Sequence, residues 1–297
     1  MSKYNILYLH PTAQLSGAEN SLLNLAGRID KGRFNPYFVC PEEGLFAEEL
    51  RKLGISVDLV ILPKIRKGFG VIKAVREIIQ VVRRKNIHLV HSNNIRTNIY
   101  ATMAARLTGI PVVWHQRNLI TNEIIDLDRL FSFLPDRIIC NSQAIARRFT
   151  KRGKLSEKVV VIYNGVDIQR FNPEVNGEAV RREFGLGQSI VIGIIGRLGM
   201  YKGHEYFLQA AKLVIASQSI IGKEVKFLVV GDAVFQQDRW REDYLKKMSR
   251  KLNLGDFIIF TGFRRDMPEV IAALDIVVLA SEAEPCGRVL IEAMASG

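Results

Sequence analysis

The 297 residues, 48% of them hydrophobic, suffice for one large core or two ordinary ones, and length favours two domains. Aromatic, glycine and proline contents are those of a globular chain, which excludes a disordered or low-complexity protein. There is no apolar run long enough to span a bilayer, the opening MSKYNILYLHPTAQ lacks the apolar length and cleavage site of a secretory signal, and Cys40, Cys140 and Cys286 form no CxxC pair. The sequence therefore predicts a cytoplasmic protein without a zinc site or a disulfide framework.

Short β-branched runs alternate with helical patterns from the first residue onward. YNILYL precedes a helix from about 19, PYFVC precedes FAEELRKLG, SVDLVIL precedes a helix over 70–85, and IHLVHS precedes one over 96–108. PVVWHQ and RIICNS follow, the latter running into a helix over 142–150 that Ser142 is placed to cap. This rhythm predicts βαβ units around a parallel sheet. After KVVVIYNGVD the pattern breaks into a polar, Gly/Asn-containing stretch, which gives the division 1–170, a linker over 171–189, and a second domain over 190–297. There the rhythm restarts: IVIGII with a helix from 203, KFLVVGD with a helix from about 238, DFIIFTG with MPEVIAAL, and DIVVLAS with a terminal helix. Both domains are read as doubly wound α/β sheets of the Rossmann type. Four βα units fall two strands short of the order 3-2-1-4-5-6, so the second domain is read as incomplete and the chain as a fragment or an early-terminated product.

Charge is uneven. Residues 1–189 carry 28 Lys/Arg against 17 Asp/Glu, whereas 190–297 carry 14 against 13, within a net +12. A basic half is consistent with an acidic partner (anionic lipid, nucleic acid or a polyanionic substrate) and equally with solubilising surface charge. In residues 64–85 the sequence places Ile72, Val75, Ile79 and Val82 on an apolar stripe and Lys73, Arg76, Arg83 and Arg84 outside it, a basic face suited to an anionic membrane surface. No stacking-aromatic cluster supports nucleic acid as the partner.

Ligands of open α/β sheets bind beyond the carboxyl ends of the strands. After the strand ending at Ile195, GRLGMYKGH presents Gly196, Arg197 and Lys202 before a helix, a receptor for a diphosphate. The glycines at 193, 196 and 199 are spaced GxxGxxG and not GxGxxG, which argues against a dinucleotide oxidoreductase. After DIVVLA, Glu284 lies in a loop and Glu292 one to two turns inside the next helix, where Gly287 permits close approach to backbone amides. Two carboxylates beside a helix N-terminus suit a ligand with phosphate in the middle and sugar at both ends, since a carboxylate accepts from vicinal hydroxyls. In the first domain His115 ends PVVWHQ, while His10, His88 and His91 end or flank strands and read as structural, and His204 as incidental. The triplet Asp126-Leu127-Asp128 resembles a metal-binding DxD, but its helix-like setting argues for coincidence, and no metal is expected.

EPCGRVLIEAMASG resembles the E-x7-E signature of retaining nucleotide-sugar glycosyltransferases of the GT-B fold, family 4 in particular. IIGRLGMYKGHEYFLQAA resembles that family's diphosphate loop, VIYNGVD its interdomain segment, FTGFRRDMPEVIAALDIVVLAS its nucleobase region and SGAEN its first glycine loop, in matching order over nearly the whole chain. Cys286 stands where the family often has Phe, and Ser16 where many members have a second Gly, leaving Gly17 as the first loop's donor-phosphate contact. The resemblance implies two Rossmann-like domains facing a cleft. It implies that Glu292 holds the ribose, that Glu284 and His115 contact the donor sugar, that Arg197 and Lys202 grip the leaving diphosphate, and that Gly196, Cys286, Gly287, Arg288 and Val289 complete the donor site. It further implies metal-independent, retaining transfer by front-side displacement to a glycan or lipid-linked acceptor, at the inner face of the membrane. A related phosphorylase or epimerase, and a non-catalytic nucleotide-sugar or polyanion-binding module, are the alternative readings.

Overall fold

The computed structural model describes residues 3–63, 68–119, 126–151, 154–217, 222–233 and 238–297. The chain divides into two units at Gly165/Val166.

The first unit is built on a seven-stranded sheet in the order β3-β2-β1-β4-β5-β6-β9, parallel throughout. Its strands are β1 (Tyr4–Leu9), β2 (Phe34–Cys40), β3 (Ser56–Leu59), β4 (Leu89–Ser92), β5 (Val112–Gln116), β6 (Arg137–Cys140) and β9 (Val159–Val161). A two-stranded antiparallel ribbon, β7 (Thr150–Lys151) with β8 (Lys154–Leu155), lies outside it. The crossovers are α1 (Gly17–Arg28), α2 (Leu45–Lys52), α3 (Gly68–Arg84), α4 (Ile95–Thr108), α5 (Leu127–Leu130) and α6 (Gln143–Ala146). Side chains alternate across a strand, so Leu7 and Leu9 of β1 join α3 and α4 in one core, while Ile6 and Tyr8 join α1 and α2 in another. Each fully buried Leu, Ile or Phe contributes roughly 1.5–3 kcal/mol, which is why the sheet has apolar residues on both faces. Ser142 accepts from the Ile145 amide ahead of α6, the cap expected from sequence, and Asn94 accepts from the Arg96 amide ahead of α4.

Two expectations shift. The buried stripe of α3 runs through Val71, Ala74, Val75, Ile78, Val81 and Val82, leaving Ile72 exposed, because the helix is rotated to seat small Ala74 and the valines against the sheet and α4. The helix expected over 142–150 is shorter: α6 ends at Ala146, a 3-10 turn follows over Arg147–Phe149, and the chain then enters the ribbon.

The second unit carries a four-stranded parallel sheet in the order β12-β11-β10-β13, from β10 (Ile190–Ile195), β11 (Val225–Val230), β12 (Ile258–Gly262) and β13 (Ile276–Val278). Helices α8 (His204–Ala216), α9 (Trp240–Lys251) and α10 (Met267–Ala272) make the crossovers, and α11 (Arg288–Ser296) follows β13. Ile190, Ile192 and Ile194 face one core, and Val191 and Ile195 the other. At Gly193 a Cβ would lie 2.4 Å from the Leu274 side chain, so the glycine admits that leucine against the sheet.

The segment read from sequence as a linker, 171–189, is packed into the second unit. Phe171, Val180 of α7 (Glu178–Glu183) and Leu186 are buried with Val191, Leu228 and Val270. Arg181 pairs with Asp275 at 2.7 Å, and Arg264 bridges Glu183 and Asp266. Polar composition concealed a short amphipathic helix with only three strong anchors.

Candidate functional site

In the second unit, loops following two neighbouring strands, β10 and β13, meet. Lys202 Nζ donates to Glu284 Oε2 at 2.7 Å, and the Glu282 amide donates to the Tyr201 carbonyl at 3.1 Å. Gly203 holds φ +74°, with the Ala280 carbonyl so close that a Cβ would lie 1.9 Å from its oxygen. The other oxygen of Glu284 accepts the Gly287 amide at 3.2 Å, immediately ahead of α11. Burial raises the affinity of Glu284 for a proton, but the Lys202 ammonium and the Gly287 and Ser281 donors outweigh it, holding the carboxyl below its ordinary range.

Glu292 is buried at 6% exposure, its carboxylate 2.6 Å from Arg288 one turn earlier in α11. Here burial outweighs the attraction of Arg288 and Arg170, and the carboxyl sits above its ordinary range. The two glutamates therefore differ in state: Glu284 is a held anion, and Glu292 a desolvated group that gains from any donor reaching it.

Arg197 faces elsewhere. Its guanidinium lies 3.6 Å from Asp238 and folds over Gly199, while the Gly196 amide donates to Val230 on β11 at 2.9 Å. Val289 is half-buried against the core, and Cys286 is partly exposed, unlike the buried Cys40 and Cys140. Lys202, Glu284 and Gly287 are thus in direct contact, Arg288 and Glu292 form a second pair, and Arg197 belongs to the β10/β11 side of the sheet.

In the first unit, His10 at the end of β1 and Ser16 ahead of α1 both bond to the buried carboxylate of Glu19. Gly17 opens α1 with open space where a Cβ would stand. His115 does not stand alone. Its Nδ1 lies 3.3 Å from His91 Nε2 and 3.2 Å from an Arg117 nitrogen. Burial and the Arg117 cation push His91 down to about 3 and His115 well below the ordinary imidazole value. Arg117 also donates to Ser21 and to Asn164, both at 3.0 Å. His91, read from sequence as structural, joins this cluster; His88 accepts the Asn5 amide, and His204 is buried at the start of α8. Arg117 and Glu19 escaped sequence reading, although a period of two from His115 places Arg117 on the same side of the strand.

Asp126 caps α5 and is held by Arg148 at 2.8 Å, while Asp128 is buried and accepts from Asn98 at 2.8 Å. Both carboxylates of the DxD triplet therefore have protein partners. Among the described residues no group of three or more His, Cys, Asp and Glu side chains converges as a metal-binding set, and no helix is long and apolar enough to cross a membrane.

The family model Glycosyltransferase Family 4 matches residues 15–170, and Glycosyl transferases group 1 matches residues 177–297. The chain is 27% identical to the UDP-Gal:alpha-D-GlcNAc-diphosphoundecaprenol alpha-1,3-galactosyltransferase of Escherichia coli, over all of this chain and 78% of that one. It is 28% identical to the 2-deoxystreptamine glucosyltransferase of Streptomyces kanamyceticus over 66% of this chain and 53% of that one. Among solved structures it superposes on Anabaena HepE in complex with UDP-glucose with TM-score 0.83 at 26% identity, covering 98% of this chain and 78% of that one. Its fold also matches a glycosyltransferase from Rickettsia africae ESF-5, with TM-score 0.83 at 21% identity over 100% of this chain and 78% of the other.

Proposed function

The chain belongs to glycosyltransferase family 4 and is a glycosyltransferase that moves a sugar from a nucleotide-sugar donor to a glycan acceptor, and we propose that it does so with retention, without a metal, on a lipid-linked acceptor. The observation that carries the donor assignment is the meeting of Lys202, Glu284 and the Gly287 amide at the carboxyl ends of β10 and β13. In this reading Lys202, and Arg197 once its guanidinium turns from Asp238 to the ligand, take the negative charge that grows on the diphosphate as the glycosidic bond breaks, which is stabilisation of the transition state over the ground state. Gly17, Gly196 and the Cys286–Val289 turn approach the donor through backbone.

Glu292 accepts the ribose hydroxyls, exchanging part of its contact with Arg288 for two donors. Glu284 orients the transferred sugar, and His115 gives a hydrogen bond to a sugar hydroxyl. No side chain in this set stands as a covalent nucleophile, so a donor phosphate oxygen takes the acceptor proton in a front-side displacement. The cations do the work a divalent ion does elsewhere.

A lipid-linked acceptor is supported by the diphosphoundecaprenol substrate in the name of the Escherichia coli relative and by α3, which exposes Lys73, Arg76, Arg83 and Arg84 together with Phe69 at 92% and Ile72 at 48%. Such a face gains roughly 1 kcal/mol per cation at an anionic leaflet, which supports a position at the inner face of the membrane in this reading. Nucleic acid is not a partner in this reading.

The test is calorimetric titration with UDP, GDP, ADP and their sugar conjugates in chelator, for the wild type and Glu292→Ala. One nucleotide family binds, and the substitution abolishes it. Binding that survives in Glu292→Ala, or that appears only when a divalent cation is added, overturns the assignment.

A further inference from the structure

The carboxyl end of β5 carries a constraint that outruns sugar contact. We infer that Arg117 is a positioning residue: by donating to Nδ1 of His115 it fixes that ring as the Nε2–H tautomer, so that His115 offers a hydrogen-bond donor, and never a base, to an oxygen of the ligand. The hydrogen bond to a ligand oxygen rests on the proposed role of His115 at the donor sugar; the tautomer does not.

A guanidinium has no acceptor, so the nitrogen 3.2 Å from Arg117 must present its lone pair. The proton of a neutral His115 ring is then on Nε2, which is buried and has no hydrogen-bond partner among the described residues. His91 Nε2 lies 3.3 Å from the same lone pair, and it too must carry a proton, since two facing lone pairs would repel. One cation thereby sets both rings. Arg117 is itself fixed from two elements, Ser21 on α1 and Asn164 beyond β9, at 3.0 Å each, with Ser21 donating to Asn164 at 3.1 Å. Its own orientation is set by the fold and not by the histidines it serves.

Among the described residues, the charged or titratable groups that act on His115 are Arg117 from its own strand end and His91 from β4. Burial first, and the Arg117 cation second, resist a second proton on either histidine. The ring is therefore neutral across the physiological range and carries its one proton on Nε2. That suits an ether, hydroxyl or carbonyl oxygen and excludes deprotonation of an acceptor hydroxyl by His115.

Long-range proton–nitrogen NMR of the histidine rings, with His115 assigned by substitution, tests this on the full chain without any ligand. The wild type is expected to show His115 and His91 as Nε2–H tautomers with no titration over roughly pH 6–8. A wild-type Nδ1–H signal for His115 overturns the inference outright, whether or not any variant folds. Arg117→Met is expected to give mixed tautomers and an acid limb in the pH profile of turnover, and Arg117→Lys, which restores a cation and a donor, to return the Nε2–H form. An unchanged tautomer and pH profile in Arg117→Met also overturns it. A failed nucleotide screen leaves the ring spectra standing, so the two readings fail separately.

Discussion

Lys202 and Glu284, 82 positions apart in sequence, form a 2.7 Å ion pair that joins the loops after β10 and β13. Because the Glu284 carboxyl is depressed in the folded state, its contribution to stability is present above the unfolded carboxylate value of about 4.3 and is lost as pH falls through the lower folded one. Lys202→Met should cost on the order of 1 kcal/mol at pH 7, a modest figure because both side chains keep some solvent contact. Urea unfolding at neutral and acid pH is the check, with the gap between the proteins closing in acid. Turnover should fall further than affinity for the free nucleoside, because the lost cation acts on charge that appears during bond cleavage. Equal turnover would remove Lys202 from the diphosphate role.

Gly203 offers a backbone probe of the same junction. Alanine there must hold φ +74° and would put its Cβ 1.9 Å from the Ala280 oxygen. The left-handed conformation alone costs about 1 kcal/mol, and separating the loops costs more, so Gly203→Ala should lose at least ~2 kcal/mol of stability together with nucleotide binding. Thermal unfolding with and without nucleotide measures both. Gly17→Ala, at a position where a Cβ meets nothing within 4 Å, is the control and should fold as the wild type does.

Glu292 should show stability and function pulling apart. Its folded-state carboxyl is raised, so the folded protein binds the proton more tightly than the unfolded chain, and stability declines as pH rises through that interval. At pH 7 the buried anion is a net burden in the absence of ligand. Glu292→Gln keeps an acceptor for Arg288 without that burden and should melt no lower than the wild type, while its affinity for nucleotide falls. A lower melting point in the nucleotide-free state would contradict this account.

Much of this was legible in the chain because parallel sheets buried on both faces write themselves as apolar runs. IVIGII and KFLVVGD marked β10 and β11, and the family motifs sat on the loops after them. What escaped depended on contacts made across the fold. The 171–189 segment looks polar because its buried residues, Phe171, Val180 and Leu186, are too sparse to set a period, and the strands they cover lie later in the chain. Arg117 reads as one more cation in a basic half until Ser21 and Asn164, 96 and 47 positions away, are seen to hold it. The spacing of α3 showed that it has an apolar stripe but not its centre, which the facing surface of α4 selects.

Glu19 makes a prediction confined to the first unit. It is a buried carboxylate in the first turn of α1, where the helix N-terminus favours an anion, and it takes hydrogen bonds from His10 and Ser16. Burial raises its pKa, while the bonds and charge of His10 and the Ser16 hydroxyl lower it further, so the carboxyl ends below its ordinary value. The stability it supplies is therefore present above about pH 4.3 and disappears as pH falls through the folded value. Glu19→Ala leaves a buried imidazole and a hydroxyl without their acceptor and should cost about 3 kcal/mol at pH 7, whereas Glu19→Gln, which still accepts from one of them, should cost less. The chain has two tryptophans, buried Trp114 in the first unit and half-exposed Trp240 in the second, so in a Trp240→Phe background indole fluorescence reports the first unit alone. A denaturant midpoint from Trp114 that is indifferent to Glu19→Ala would show that the His10–Glu19–Ser16 contact does not hold the first glycine loop in place.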